Sequence, residues 1–140
     1  MNKDGNLDRL CADAGFKIAN ELKSLKADEN KEKQGGKPVS HITKSLGVLQ
    51  EDGVYAFFLY QECNKKFGVK VREKTREFLQ AGPVSLLKNS GDLYAELKDL
   101  CGDLNDLLLA KSLLERTLIY ARYHLKAAEE PENELDGETK

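Results

Sequence analysis

The longest apolar pattern in the chain limits what it can fold into. Leu93, Leu97, Leu100, Leu104, Leu107, Leu114, Leu118, Ala121 and Leu125 recur at alternating steps of four and three, with Lys111 in the one polar gap. Side chains at that interval line one face of an α-helix, and such a face needs another helix to cover it. The pattern predicts a helix from about Asp92 to the end of the seam. It is either continuous or divided near Gly102-Asp103, where Asp103 can cap the second half.

Shorter segments repeat the signal. Leu7, Leu10, Cys11, Ala14, Ile18, Leu22 and Leu25 share a face over about Asn6 to Lys26, with Asp8, Lys17, Lys23 and Asp28 opposite. Ala27 to Lys37 is charged, ends in Gly35-Gly36 and reads as a flexible connection. Pro38 suits the first position of a second helix. From there Ile42, Leu46, Leu49, Gly53, Ala56, Tyr60 and Cys63 form a seam, with a kink or turn expected at Gln50–Gly53. Val54–Tyr60 is the most apolar stretch and would pass for a buried strand in isolation. No partner strand is evident, and helix is the expectation. Gly68 is expected to stop that element. Val71, Thr75, Phe78 and Leu79 mark a further helix to Gln80, ended by Gly82-Pro83, and Val84–Leu87 is read as one more turn. The expected architecture is therefore all-α, a compact bundle of about five to seven helices with a long C-terminal helix.

At 140 residues, one helical domain over 1–128 is expected. Residues 129–140 hold six acids and one base and are expected to be a disordered acidic tail. Setting them aside leaves 21 bases against 18 acids, so the body is mildly basic. No apolar run approaches the roughly 18 residues of a membrane span. Met1–Asp8 lacks the apolar segment of a secretory signal, so a cytoplasmic location is expected. Cys11, Cys63 and Cys101 are far apart and odd in number, and read as small core hydrophobes.

Tests for chemistry fail on particular residues. A di-iron carboxylate bundle needs Glu three residues before each His, but Pro38 and Ala121 precede His41 and His124 at that distance. Close Cys/His pairs for zinc and Gly-rich phosphate loops are missing, and Gly35-Gly36 follows no strand. No catalytic residue, metal ligand or cofactor is assigned, and a non-enzymatic role is expected.

Charge offers more. Lys65, Lys66, Lys70, Arg72, Lys74 and Arg76 fall within thirteen residues that contain one acid, Glu73. Lys66, Lys70 and Lys74 are spaced by four, as are Arg72 and Arg76, so two cationic rows would project from a helix and its lead-in. Such rows suit either solvent or a phosphate backbone, whose binding is electrostatic and sequence-independent. On the last helix Lys111, Arg116, Arg122 and Lys126 alternate with Tyr120, Tyr123 and His124. These aromatic rings either stack on bases or pack in the core with the hydroxyls at its edge.

Gly53-Val54-Tyr55-Ala56-Phe57-Phe58 and Leu118-Ile119-Tyr120-Ala121-Arg122-Tyr123, with Lys126 beyond, carry a resemblance. Over about residues 6–128 the chain resembles the small helical subunit of type III CRISPR effector complexes. It looks closest to that of the III-B (Cmr) complexes, Tyr123 standing where that family usually has tryptophan; the III-A (Csm) small subunit is similar. The resemblance implies a non-catalytic subunit in antiviral defence that stacks with further copies of itself beside the other subunits. Its basic face would touch guide or target RNA without reading sequence. The alternative expectation is a protein-binding adaptor without RNA affinity, using Val54–Tyr60 or the leucine seam as a groove for a partner helix.

Overall fold

A computed structural model of the chain describes residues 3–29 and 36–129. The flexible connection expected around Ala27–Lys37 lies in part outside them, as does the acidic tail beyond Glu129. Among the described residues are six helices: α1 (Lys3–Glu29), α2 (Pro38–Asp52), α3 (Val54–Cys63), α4 (Gly68–Gln80), α5 (Leu93–Cys101) and α6 (Leu104–Ala127). The all-helical expectation, with its long last helix, holds. No described helix is long and apolar enough to cross a membrane.

The principal pairing is α1 on α6. Asp8 meets Arg116 and Tyr120, the Cys11 thiol approaches the Leu113 carbonyl, and Phe16 meets His124. From Cys11 against Leu113, through Gly15 against Thr117, to Phe16 against His124 the partners advance in the same direction, so the helices run parallel. Gly15 makes the close approach: a β-carbon there would stand 2.8 Å from both the Thr117 carbonyl oxygen and Tyr120 Cβ. α2 packs on another flank of α6, and α4 on α1. The buried side chains form one cluster that includes Ile18, Leu22, Ile42, Leu49, Phe57, Phe58, Leu79, Leu97, Leu114 and Leu118. Burying each large apolar side chain contributes about 1.5–3 kcal/mol before chain entropy is counted.

Local chemistry sets the helix boundaries. Pro38 opens α2, where its missing N–H costs nothing. Gly53 takes φ +99°, a left-handed conformation that ends α2 and starts α3 in a new direction. That turn resets the helical phase. The expected seam through Ala56, Tyr60 and Cys63 gives way to a core face of Val54, Phe57, Phe58 and Gln61, one residue out of step. Asn64 Oδ1 accepts from the amides of Phe67 (2.9 Å) and Gly68 (3.3 Å) and leads into α4. Gly68 therefore opens α4 and does not stop α3. Its role is close packing, since a β-carbon on it would lie 1.9 Å from the Gln61 carbonyl oxygen. Asp92 and Asp103 cap α5 and α6 through the Ala95 and Asp106 amides, each at 3.1 Å.

Other expectations are corrected. The turn expected over Val84–Leu87 instead occupies residues 82–84; the Leu79 carbonyl accepts from the amides of Leu86 and Leu87 and brings Leu87 into the core. Of the cysteines, Cys11 is buried, whereas Cys63 and Cys101 end α3 and α5 and are exposed. At the start of α6 the seam residue Leu104 is bare at 67% exposure, as are its neighbours Leu108 at 53% and Leu109 at 41%.

Candidate nucleic-acid interface

The first cationic segment spans the α3–α4 link and most of α4, and the fold supplies carboxylates to it. Glu21 on α1 reaches both Lys70 (3.8 Å) and Lys74 (4.0 Å), which also pair with Glu73 and Glu77 on their own helix. Arg72 lies 3.6 Å from Glu62 on α3. Glu62 also accepts from the hydroxyl of Tyr94 on α5. Burial, then the hydrogen bond and charge of Glu62, push that phenol up to about 12. Arg72 thus belongs to a contact that ties three helices together. Lys66 stands over the Phe67 ring, 4.9 Å from its centroid. Lys65 is exposed.

Arg76 acts by charge on Glu96, which is 6% exposed and accepts from the Ser90 amide and hydroxyl. Burial alone would raise the Glu96 carboxyl. The Ser90 hydrogen bonds and the Arg76 charge outweigh it and hold the group below its ordinary value. The outer face of α4 borders a cleft of about 530 Å³ lined by Arg72, Arg76 and Gln80, but Glu73 and Glu77 line it too. A phosphate entering there meets both signs of charge. Ion pairs this exposed contribute about 0–1 kcal/mol each, so a strong anion can displace them, at a cost the bare sequence does not reveal.

The second set is distributed differently. Lys111 donates to the Gln50 carbonyl (3.3 Å) and joins α6 to α2. Arg116 donates to Asp8 at 2.8 Å, and Tyr120 donates to the same oxygen at 2.8 Å. The Arg116 hydrogen bond is the first cause that holds the Asp8 carboxyl below its usual range. Among the described residues, Arg122 and Lys126 have no ion-pair partner. Tyr120 is half-buried with its hydroxyl at the edge of the core, whereas Tyr123 is 63% exposed.

The pairing of α1 with α6 adds residues that periodicity did not single out for binding. Phe16 is 49% exposed and meets His124 nearly edge-on, with ring centroids 5.3 Å apart at 70°. Arg9, Phe16 and Lys23 are spaced by seven on α1, as are Arg116 and Tyr123 on α6, so each set forms a row along its helix. All five are exposed. Arg9 and Lys23 have no ion-pair partner among the described residues. Among the described residues, the carboxylate paired with these rows is Asp8, held by Arg116 and Tyr120. Phe16 as an apolar residue on the polar side of α1 was the available signal in the sequence.

A buried polar cluster also lay beyond sequence reasoning. His41 Nε2 donates to Gln61 Oε1 at 2.7 Å, and Gln61 Nε2 donates to Ser45 Oγ at 2.8 Å. The His41 ring stacks near Tyr60 and packs on Phe67. Burial holds its imidazole below the ordinary value. At 4% exposure the ring joins α2 to α3 and has no room for a substrate. The i, i+4 spacing of His41 and Ser45 on the apolar side of α2 was its trace in the sequence.

Comparisons with protein-family models, with curated proteins and with solved structures find no match to this chain.

Proposed function

We propose that the chain is a non-catalytic scaffold subunit of an RNA-guided effector complex of the type III CRISPR kind, cytoplasmic and active in antiviral defence. In this reading it contacts the backbone of guide or target RNA without reading sequence. Membership in such a complex rests on the resemblance carried by Gly53–Phe58 and Leu118–Lys126. The RNA contact rests on one observation: Arg9 and Lys23 on α1 and Arg122 and Lys126 on α6 have no ion-pair partner among the described residues. Arg122 and Lys126 are the residues of the two charged segments that best serve this role. Lys70, Arg72 and Lys74 are secondary contacts that must first leave Glu21 and Glu62.

The protein should bind labelled RNAs of unrelated sequence with similar, weak affinity that falls steeply between about 50 and 200 mM salt. Joint reversal Arg122→Glu and Lys126→Glu should lower that affinity at unchanged melting temperature. Unaltered binding by the reversed protein removes the α6 contact, and no binding by the wild type removes the RNA role. Neighbouring genes that encode RNA-guided nuclease subunits would support membership in the complex.

A protein-binding adaptor is the second reading, and the bare Leu104, Leu108 and Leu109 favour it. The two are compatible, because a scaffold subunit needs an apolar contact with its neighbours, whether other subunits or further copies of the same chain. An adaptor alone would form a defined protein complex and show no RNA affinity at moderate salt.

A further inference from the structure

We infer that Phe16 and Tyr123 form a stacking platform for unpaired bases of single-stranded RNA on the α1–α6 face. The inference rests on the RNA-contacting role proposed above and assigns it a ligand conformation: splayed, single-stranded nucleotides and not the uniform backbone of a duplex.

Energetics come first. Burying a phenylalanine contributes about 1.5–3 kcal/mol, and a chain that leaves one half exposed forgoes much of that. Phe16 is 49% and Tyr123 63% exposed although both sit on the helices that make the principal packing contact of the fold. Phe16 is held against His124, which fixes its ring without covering it. A fixed aromatic surface loses little entropy when a flat ligand lands on it.

Charge then selects the ligand. Arg9 and Lys23 stand one heptad to either side of Phe16, about 10 Å away along α1 at 1.5 Å per residue. Lys126 stands three residues beyond Tyr123 on α6, one helical turn away. Flat apolar surface flanked by cations at that spacing matches a nucleobase whose neighbouring phosphates reach to both sides, and base–aromatic stacking does not depend on sequence. An apolar protein segment would gain nothing from the cations. Paired bases in a duplex present no open ring face to the platform.

The test compares two fluorescent probes of equal charge, a 12-nucleotide oligoadenylate and a 12-nucleotide abasic strand with the same phosphates. The wild-type protein should bind the oligoadenylate roughly 5- to 100-fold more tightly, the range expected for one stacked base, and more tightly still if both rings take one. Joint replacement Phe16→Ala and Tyr123→Ala should erase that ratio and leave the abasic affinity unchanged, whereas Phe16→Tyr with Tyr123→Phe should keep it. Equal affinity of the wild type for the two probes overturns the platform and leaves the backbone contact standing. So does a ratio that survives the alanine pair. Failure to bind either probe overturns both, and specific capture of a protein segment by this face in place of RNA overturns the platform. The probe comparison on the wild type needs no variant, so the inference does not depend on the folding of a mutant.

Discussion

A β-carbon on Gly68 would stand 1.9 Å from the carbonyl oxygen of Gln61, far inside van der Waals contact. The start of α4 therefore lies directly on the backbone of α3. The same stretch of α3 holds the Gln61 side chain, which spans His41 and Ser45. Backbone contact and polar cluster thus fix the α2–α3–α4 corner together.

Gly68→Ala should destabilise the fold by about 2–3 kcal/mol, because the atom it meets is backbone and cannot swing aside. At roughly 3–5 °C per kcal/mol for a chain of this size, thermal melts should register it clearly. Gly47→Ala is the control. Nothing lies within 4 Å of that position inside α2, so it should gain roughly 0.5–1 kcal/mol. A neutral Gly68→Ala would show that α3 and α4 do not meet in this way.

His41 makes stability depend on pH. Burial lowers its imidazole below the ordinary 6.5, and Nδ1 is buried with no hydrogen-bond partner to take up a second N–H. The unfolded chain binds the proton more readily, so stability is full above about pH 6.5 and declines as pH falls below it. Gln61 and Ser45 facing the ring are uncharged, and Lys44 adds repulsion to the protonated form. Melting temperature should fall by several degrees between pH 7.5 and 5.5, and His41→Gln should flatten that part of the profile. Asp8 contributes separately at lower pH, since its carboxyl is held below 3.8 and its contribution fades as pH falls through that range.

Thiol reactivity should divide the cysteines two to one. Cys63 and Cys101 are exposed, while Cys11 is buried and its thiol is pushed up by that burial. In native protein an aromatic disulfide reagent should titrate two thiols rapidly and the third only on unfolding. Three fast thiols would place the α1–α6 packing around Cys11 in error.

How far the sequence carries is seen by comparing α6 with α3. The α6 pattern was legible because Leu114, Leu118, Ala121 and Leu125 face one direction, and the fold buries all four. Leu104 obeys the same spacing, yet it stays 67% exposed. Periodicity identifies a face, and only the arrangement of neighbouring helices decides how much of it is covered. In α3 the phase moved by one residue at Gly53, which step counting alone does not register. The charged segments show the same limit. The spacing of Lys70 and Lys74 was plain, but Glu21 lies almost fifty residues earlier in the chain and reaches them through tertiary packing alone.

Glu21 therefore yields a prediction that separates structural from ligand-binding lysines. The variant Lys70→Glu with Lys74→Glu places two acids against Glu21 on α1 and should cost about 1–2 kcal/mol, the lost pairs and the new repulsion together. Adding Glu21→Lys restores the interhelical pairing but leaves the new acids facing Glu73 and Glu77 on α4, so it should recover part of that loss, which a melting series on the double and triple variants will read. RNA affinity follows different logic. The triple variant keeps the interhelical pairing but replaces two cations of α4 by acids and one acid of α1 by a cation, so an RNA site on α4 should stay weakened. If α1 and α6 hold the RNA, the triple variant, measured well below its melting temperature, should bind close to wild type. A triple variant that melts above the double variant, is folded at the assay temperature and still fails to bind would return the contact to α4.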